Sequence, residues 1–107
     1  MVEKNWIVVR EYDEPKGRVG VEIAHNRAIA HCDFHDKWTK LNYYRALAIW
    51  DRVCEDVAAH GFKEIYAPVI NDTQNTFVTL FGFEPSDLKA TLDGIGDVPL
   101  WVYEIGG

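Results

Sequence analysis

Residues 60–85 read HGFKEIYAPVINDTQNTFVTLFGFEP. Gly61 follows an amphipathic stretch and is placed to end a helix, because glycine takes the left-handed conformation at a helix C-terminus without steric cost. Residues 62–70 are apolar enough for a central strand, but Pro68 interrupts them. A proline has no N–H to give to a ladder, so it predicts a bulge or a splayed edge at residues 67–69. Asn71 or Asp72 then supplies the cap of a second, shorter helix carrying Phe77, Val78, Leu80 and Phe81, and Gly82 ends it. Helix end, strand, helix and a Gly-Phe exit within one short passage predict a domain in which helices pack on a mixed sheet.

Upstream, residues 38–60 change to helical period. Leu41, Tyr44, Leu47, Ala48, Val53, Val57 and Ala58 lie near 3.6 spacing, while Arg45, Asp51, Arg52, Glu55 and Asp56 fall mainly on the other side. Thr39 or Asn42 is positioned as its N-cap, and His60 lies in its last turn. Before that, residues 5–12 (NWIVVREY) are rich in β-branched and aromatic side chains and read as a strand. Residues 13–17 read as a turn, with Pro15 fixing φ and Gly17 supplying a positive φ. Val19, Val21 and Ile23 alternate with Arg18, Gly20 and Glu22, a half-buried strand, and His25-Asn26-Arg27 reverses the chain into a partner strand at residues 28–34. Downstream, residues 85–97 read as loop with one helical turn at 86–92. Residues 100–105 form the last strand and residues 106–107 a tail.

At 107 residues the chain is expected to form one domain, residues 1–107. Its 48% hydrophobic content, with four Trp, five Tyr and five Phe, predicts a packed core rather than a disordered segment. No apolar run approaches a membrane span, and residues 1–4 lack a signal peptide's apolar core, so a cytoplasmic location without membrane contact is expected. A net charge of -6 argues against nucleic acid as partner, since phosphate neutralisation needs a basic surface. Cys32 and Cys54 are too few for a disulfide framework and read as small buried hydrophobes.

Three antiparallel strands, a long helix, a central strand, a shorter helix and a last strand resemble the GNAT-type N-acetyltransferase fold. The most specific part is Asn71, an apolar helix, then Gly82-Phe83 at that family's spacing. The resemblance covers residues 18–105 and implies an α/β (α+β) domain with a mixed, mostly antiparallel sheet. The family's first strand and two early helices have no counterpart. It further implies acetyl-CoA as cofactor, held along residues 32–42 by Cys32, Phe34, Lys37, Thr39, Lys40 and Asn42, with Asn71 beside it. Two positions depart from the pattern. Residues 35–43 contain no glycine where family members present bare backbone to pyrophosphate, which leaves the work to Lys37, Lys40 and the Thr39 hydroxyl. Val78 stands where many members carry a Tyr general acid, and valine cannot protonate a leaving thiolate.

A general base then has to come from the strands, where Glu22, His31 and Asp33 are the candidates. His31, Asp33 and His35 alternate onto one strand face, which raises a metal site as the lesser reading; their spacing matches no zinc motif, and no metal is expected. Trp38, Tyr43, Tyr44 and Trp50 cannot all face one core stripe. Tyr44 goes with the apolar face, and Trp38, Tyr43 and Trp50 are the candidates for a protein interface.

Two functions compete. One is acyl transfer from coenzyme A to an amine, with an atypical cofactor loop and no Tyr acid. The other keeps the fold without the chemistry, as in small phage-encoded proteins that bind a host or virion protein; a phage origin would place it in the host cytoplasm. A homodimer, with a second copy replacing the missing early elements, is a third arrangement.

Overall fold

The computed structural model describes residues 5–13, 16–34 and 39–105. Along the chain run β1 (Asn5–Asp13), β2 (Lys16–Ala24), β3 (Arg27–Phe34), α1 (Lys40–Ala59), β4 (Glu64–Pro68), α2 (Asp72–Leu80), β5 (Glu84–Leu92) and β6 (Gly96–Glu104). They build one α+β unit around a six-stranded sheet of order β1-β2-β3-β4-β6-β5, in which only the β3–β4 pair is parallel.

The first hairpin is tighter than residues 13–17 suggest. Asp13 pairs with Lys16, and Gly17 lies inside β2 opposite Tyr12 and Phe34, so it is a strand residue and not the turn's source of positive φ. The second reversal, between Ala24 and Arg27, uses His25 at φ 52° and Asn26 at φ 63°. Two left-handed residues in a row match the right-handed strand twist, which is why two-residue hairpins prefer them.

Register sorts the side chains of β2 and β3 onto two faces. Val19, Val21, Ala28 and Ala30 are buried on the helix-covered face with Ile65 of β4, while Gly20, Glu22, Arg27, Ile29 and His31 occupy alternating positions on the opposite face. Arg10 of β1 reaches α1, its guanidinium 2.8 Å from the Asp56 carboxylate. On both faces the ordering principle is the period of two.

Thr39 caps α1, its Oγ1 accepting the Asn42 N–H at 3.1 Å, and Gly61 follows the helix at φ 90°. A helix start at Trp38 falls outside the described residues. The buried stripe of α1 is Ala46, Ile49, Trp50, Val53, Cys54 and Val57. That corrects the expected stripe: Val53 and Val57 belong to both, but Leu41 is 58% and Tyr44 56% exposed. Trp50 decides the rotation. Its ring centroid lies 6.0 Å from Phe81, 5.4 Å from Phe83 and 5.5 Å from Tyr103. Tyr44 is six positions away, about 120° around the helix, so facing it inward would turn Trp50 out of this cluster.

Asn71 caps α2 by accepting the Gln74 N–H at 2.9 Å, and the helix ends at Phe81 before Gly82 at φ 87°. β5 is absent from the expectation of a loop at residues 85–97. Pro85 survives there because β5 is an edge strand, and Ser86, Leu88, Ala90 and Leu92 are half-buried while Asp87, Lys89 and Thr91 are exposed. β6 is correspondingly longer than residues 100–105. Burial pushes both thiols up to about 12, yet only Cys54 is a buried residue; Cys32 as a whole residue is exposed, contrary to its reading as part of the core. No helix among the described residues is long and apolar enough to cross a membrane.

Trp50 is 5% exposed, and its indole N–H is buried near the Tyr103 hydroxyl without hydrogen-bond geometry. Its contribution is therefore packing. Trp50→Ala is expected to cost about 3–5 kcal/mol in urea unfolding, and Trp50→Phe clearly less. An unchanged midpoint for the alanine variant would remove Trp50 from the core.

Candidate functional site

The site begins where β3 and β4 stop pairing. Their ladder contains only Ala28 with Ile65 and Ile29 with Tyr66, although β3 runs on to Phe34 and β4 to Pro68. Backbone direction explains the stop. The Val69 N–H is given to Pro99 on the β6 side, and Lys63 accepts the Ile105 N–H there too. Alternation then turns the backbone nitrogens of Tyr66 and Pro68 toward β3. Tyr66 can donate. Pro68 cannot, so the next rung of the parallel ladder has no donor.

A cavity opens at this parting, lined by Ala30, His31 and Cys32 from β3, Ala67 and Pro68 from β4, and Gln74, Phe77 and Val78 from α2, with Trp50, Phe81 and Phe83 behind. Its walls are largely apolar. Gln74 is held in place, its Oε1 accepting the Ile70 N–H at 2.7 Å. On the opposite face of the sheet lies a cleft of about 550 Å³ bordered by Glu22, Arg27, Ile29, His31, Lys89 and Leu100, among others. His31 and Pro68 border both spaces. The parting of two strands thus brings a cavity under the helices next to a cleft on the open face.

At that junction the structure brings together two of the three expected bases. His31 Nε2 and Glu22 Oε1 are 2.6 Å apart, with the carboxylate side chain 14% and the imidazole 37% exposed. Gly20 pairs with His31 across β2 and β3, and the Trp6 ring lies over that glycine and edge-on to the imidazole at 5.8 Å. A carboxylate bonded to one ring nitrogen fixes the orientation of the imidazole, which suits His31 to proton transfer with Glu22 as its support. Sequence reasoning singled out Glu22 and His31 separately; their pairing depends on the β2–β3 register, and Trp6 was missed. The Asp33 side chain lies outside the described residues, as do Lys37 and the Phe34 side chain.

The remaining expected cofactor contacts are scattered in role. Cys32 is exposed at the cavity mouth. Thr39 spends its hydroxyl oxygen on the helix cap, Lys40 stands exposed on the first turn, and Asn42 Oδ1 accepts from Arg45 at 3.5 Å. Asn71 is the α2 cap. Of the expected interface residues, Trp50 is committed to the core, Tyr43 donates its hydroxyl to the Leu80 carbonyl at 3.2 Å, and Trp38 lies outside the described residues. Among the described residues no three His, Cys, Asp or Glu side chains converge as metal ligands.

A Cβ at Gly20 would lie 2.5 Å from Trp6 Cζ3. Gly20→Ala should therefore push the exposed indole off His31 while leaving the fold within about 1 kcal/mol. The His31 ring-proton shifts in NMR spectra report this directly; if they do not move, Trp6 does not rest on that glycine in solution. No protein-family model matches the sequence, and neither curated proteins nor solved structures gave a match.

Proposed function

We propose that this chain is a GNAT-like acyltransferase that moves an acyl group from coenzyme A to an amine. One observation carries the reading. The parallel strands β3 and β4 part after two rungs, and the cavity at the parting meets an open-face cleft at His31. Strand edges left unpaired in this way offer backbone donors and acceptors to an extended amide-containing arm. The apolar cavity behind them suits its alkyl portions. The strand order and the Asn71 and Gly82 helix ends agree with the resemblance to that family.

In this reading the thioester carbonyl lies at the junction and the amine approaches from the open face. His31, oriented by Glu22, takes the ammonium proton, so that the nitrogen lone pair can attack. A C–N bond forms, the C–S bond breaks with the sulfur taking the electron pair, and the nitrogen gives its second proton to solvent. Val78 is 7% exposed on the cavity wall and supplies no proton. The thiolate is then protonated by solvent, which is tolerable because a thiol is already a fairly strong acid, with an ordinary pKa of about 8.5.

The alternative, a fold retained for binding a host or virion protein without turnover, draws support from Leu41 and Tyr44, both more than half exposed on the outer side of α1. Acetyl-CoA separates the two readings. Calorimetry should show saturable binding, and Cys32→Trp, which puts a large ring at the cavity mouth from an exposed position, should weaken it about tenfold or more, roughly 1.4 kcal/mol. Absence of binding at millimolar acetyl-CoA would sink the acyltransferase reading. Equal affinity in the tryptophan variant would move the ligand elsewhere.

A further inference from the structure

The cavity at the parting is larger than an acetyl group needs. It measures about 130 Å³. Trp50, Val78 and Phe83 on its wall are all buried, and the strands contribute only alanines beneath α2, Ala30 and Ala67. Larger side chains at those two positions would fill the space. No Asp, Glu, Lys or Arg lines it among the described residues. Of its polar neighbours, His31 stands at the junction with the cleft, Cys32 is exposed at the mouth, and Gln74 Oε1 is taken by the Ile70 N–H. The arm of coenzyme A alternates amides with short methylene runs. An amide drawn into such a space loses its water without gaining a partner, so the arm keeps to the strand edges, where backbone groups meet it. What can pass inward from a thioester carbonyl at the junction is hydrocarbon. A dry apolar cavity of about 150 Å³ holds benzene, so the space here is room for about five carbons.

We propose that the acyl donor carries a straight chain of about four to six carbons in place of acetyl, and that its tail lies in this cavity between Val78 of α2 and Trp50 of α1. The proposal rests on the acyltransferase reading and deepens it by naming the class of donor. A lone methyl leaves most of the cavity empty, and the walls then lose the contacts a chain would make with them. A much longer chain meets Trp50, whose ring centroid lies 6.0 Å from Phe81 and 5.4 Å from Phe83. Tyr103 packs against both Trp50 and Phe83, so the inner wall is a packed cluster and not one movable side chain.

The test titrates the full chain by calorimetry with the acetyl, butanoyl, hexanoyl and decanoyl thioesters of coenzyme A. The same acyl groups on N-acetylcysteamine, which carries no nucleotide, form a second series. Affinity is expected to rise about fourfold per added methylene as far as hexanoyl, with decanoyl no tighter. Val78→Phe, which puts a ring into the cavity, should abolish the hexanoyl advantage, and Phe77→Ala, which enlarges the cavity, should move the optimum to decanoyl. The unmodified chain decides the point even where a variant does not fold. Equal affinity across the coenzyme A series would overturn the proposal while leaving the acyltransferase reading intact. So would a steady rise through decanoyl, which marks an open apolar surface instead of a bounded cavity. A rise to hexanoyl among the cysteamine thioesters, with no binding of any coenzyme A thioester, would uphold the cavity's ligand class and remove coenzyme A as its carrier.

Discussion

The backbone nitrogen of Pro68 has no hydrogen to give, and it faces β3. From that one missing donor follows the geometry of the site. With the parallel ladder ended after Ile29 and Tyr66, β3 continues beside β2 alone and β4 continues beside β6 alone. A sheet that closed fully would bury this seam. Instead the seam is open, with α2 and Trp50 closing the space behind it and the cleft lying in front. The remaining packing holds the two halves at that separation. Trp50 ties α1 to Phe81 and Phe83 at the end of α2 and to Tyr103 on β6.

The same constraint orders the chemistry. Because successive strand residues alternate faces, Ala30 and Cys32 serve the cavity while His31 faces the cleft, and the parting lets His31 and Pro68 border both. The antiparallel register of β2 and β3 then sets Glu22 close enough to bond His31, and Trp6 uses the bare Gly20 to lie against the imidazole.

Much of this was legible in the chain. Residues with a local physical job announced themselves: Thr39 and Asn71 as caps, Gly61 and Gly82 as left-handed helix ends, and Pro68 as a break in pairing. What depended on distant contacts did not. The face of α1 was misjudged because Val53 and Val57 fit two stripes, and only the aromatic cluster from α2 and β6 chooses Trp50 over Tyr44. β5 was hidden by Pro85, Ser86 and Asp87, although Leu88, Ala90 and Leu92 alternating with Lys89 and Thr91 carried the period-two signal. Glu22 and His31 are nine residues apart and could be named singly, but their pairing required the register.

Amide hydrogen exchange tests the central claim most directly. If Pro68 ends the parallel ladder, the amides of Ala28, Ala30 and Tyr66, which face the β3–β4 seam within its two rungs, are protected. The next amides of β3 that point away from β2, those of Cys32 and Phe34, exchange fast, and under the proposed acyl transfer acetyl-CoA slows them. Uniform protection along β3 in the free protein would contradict the account, because it would mean that the two strands stay paired and that no seam exists for a substrate to enter.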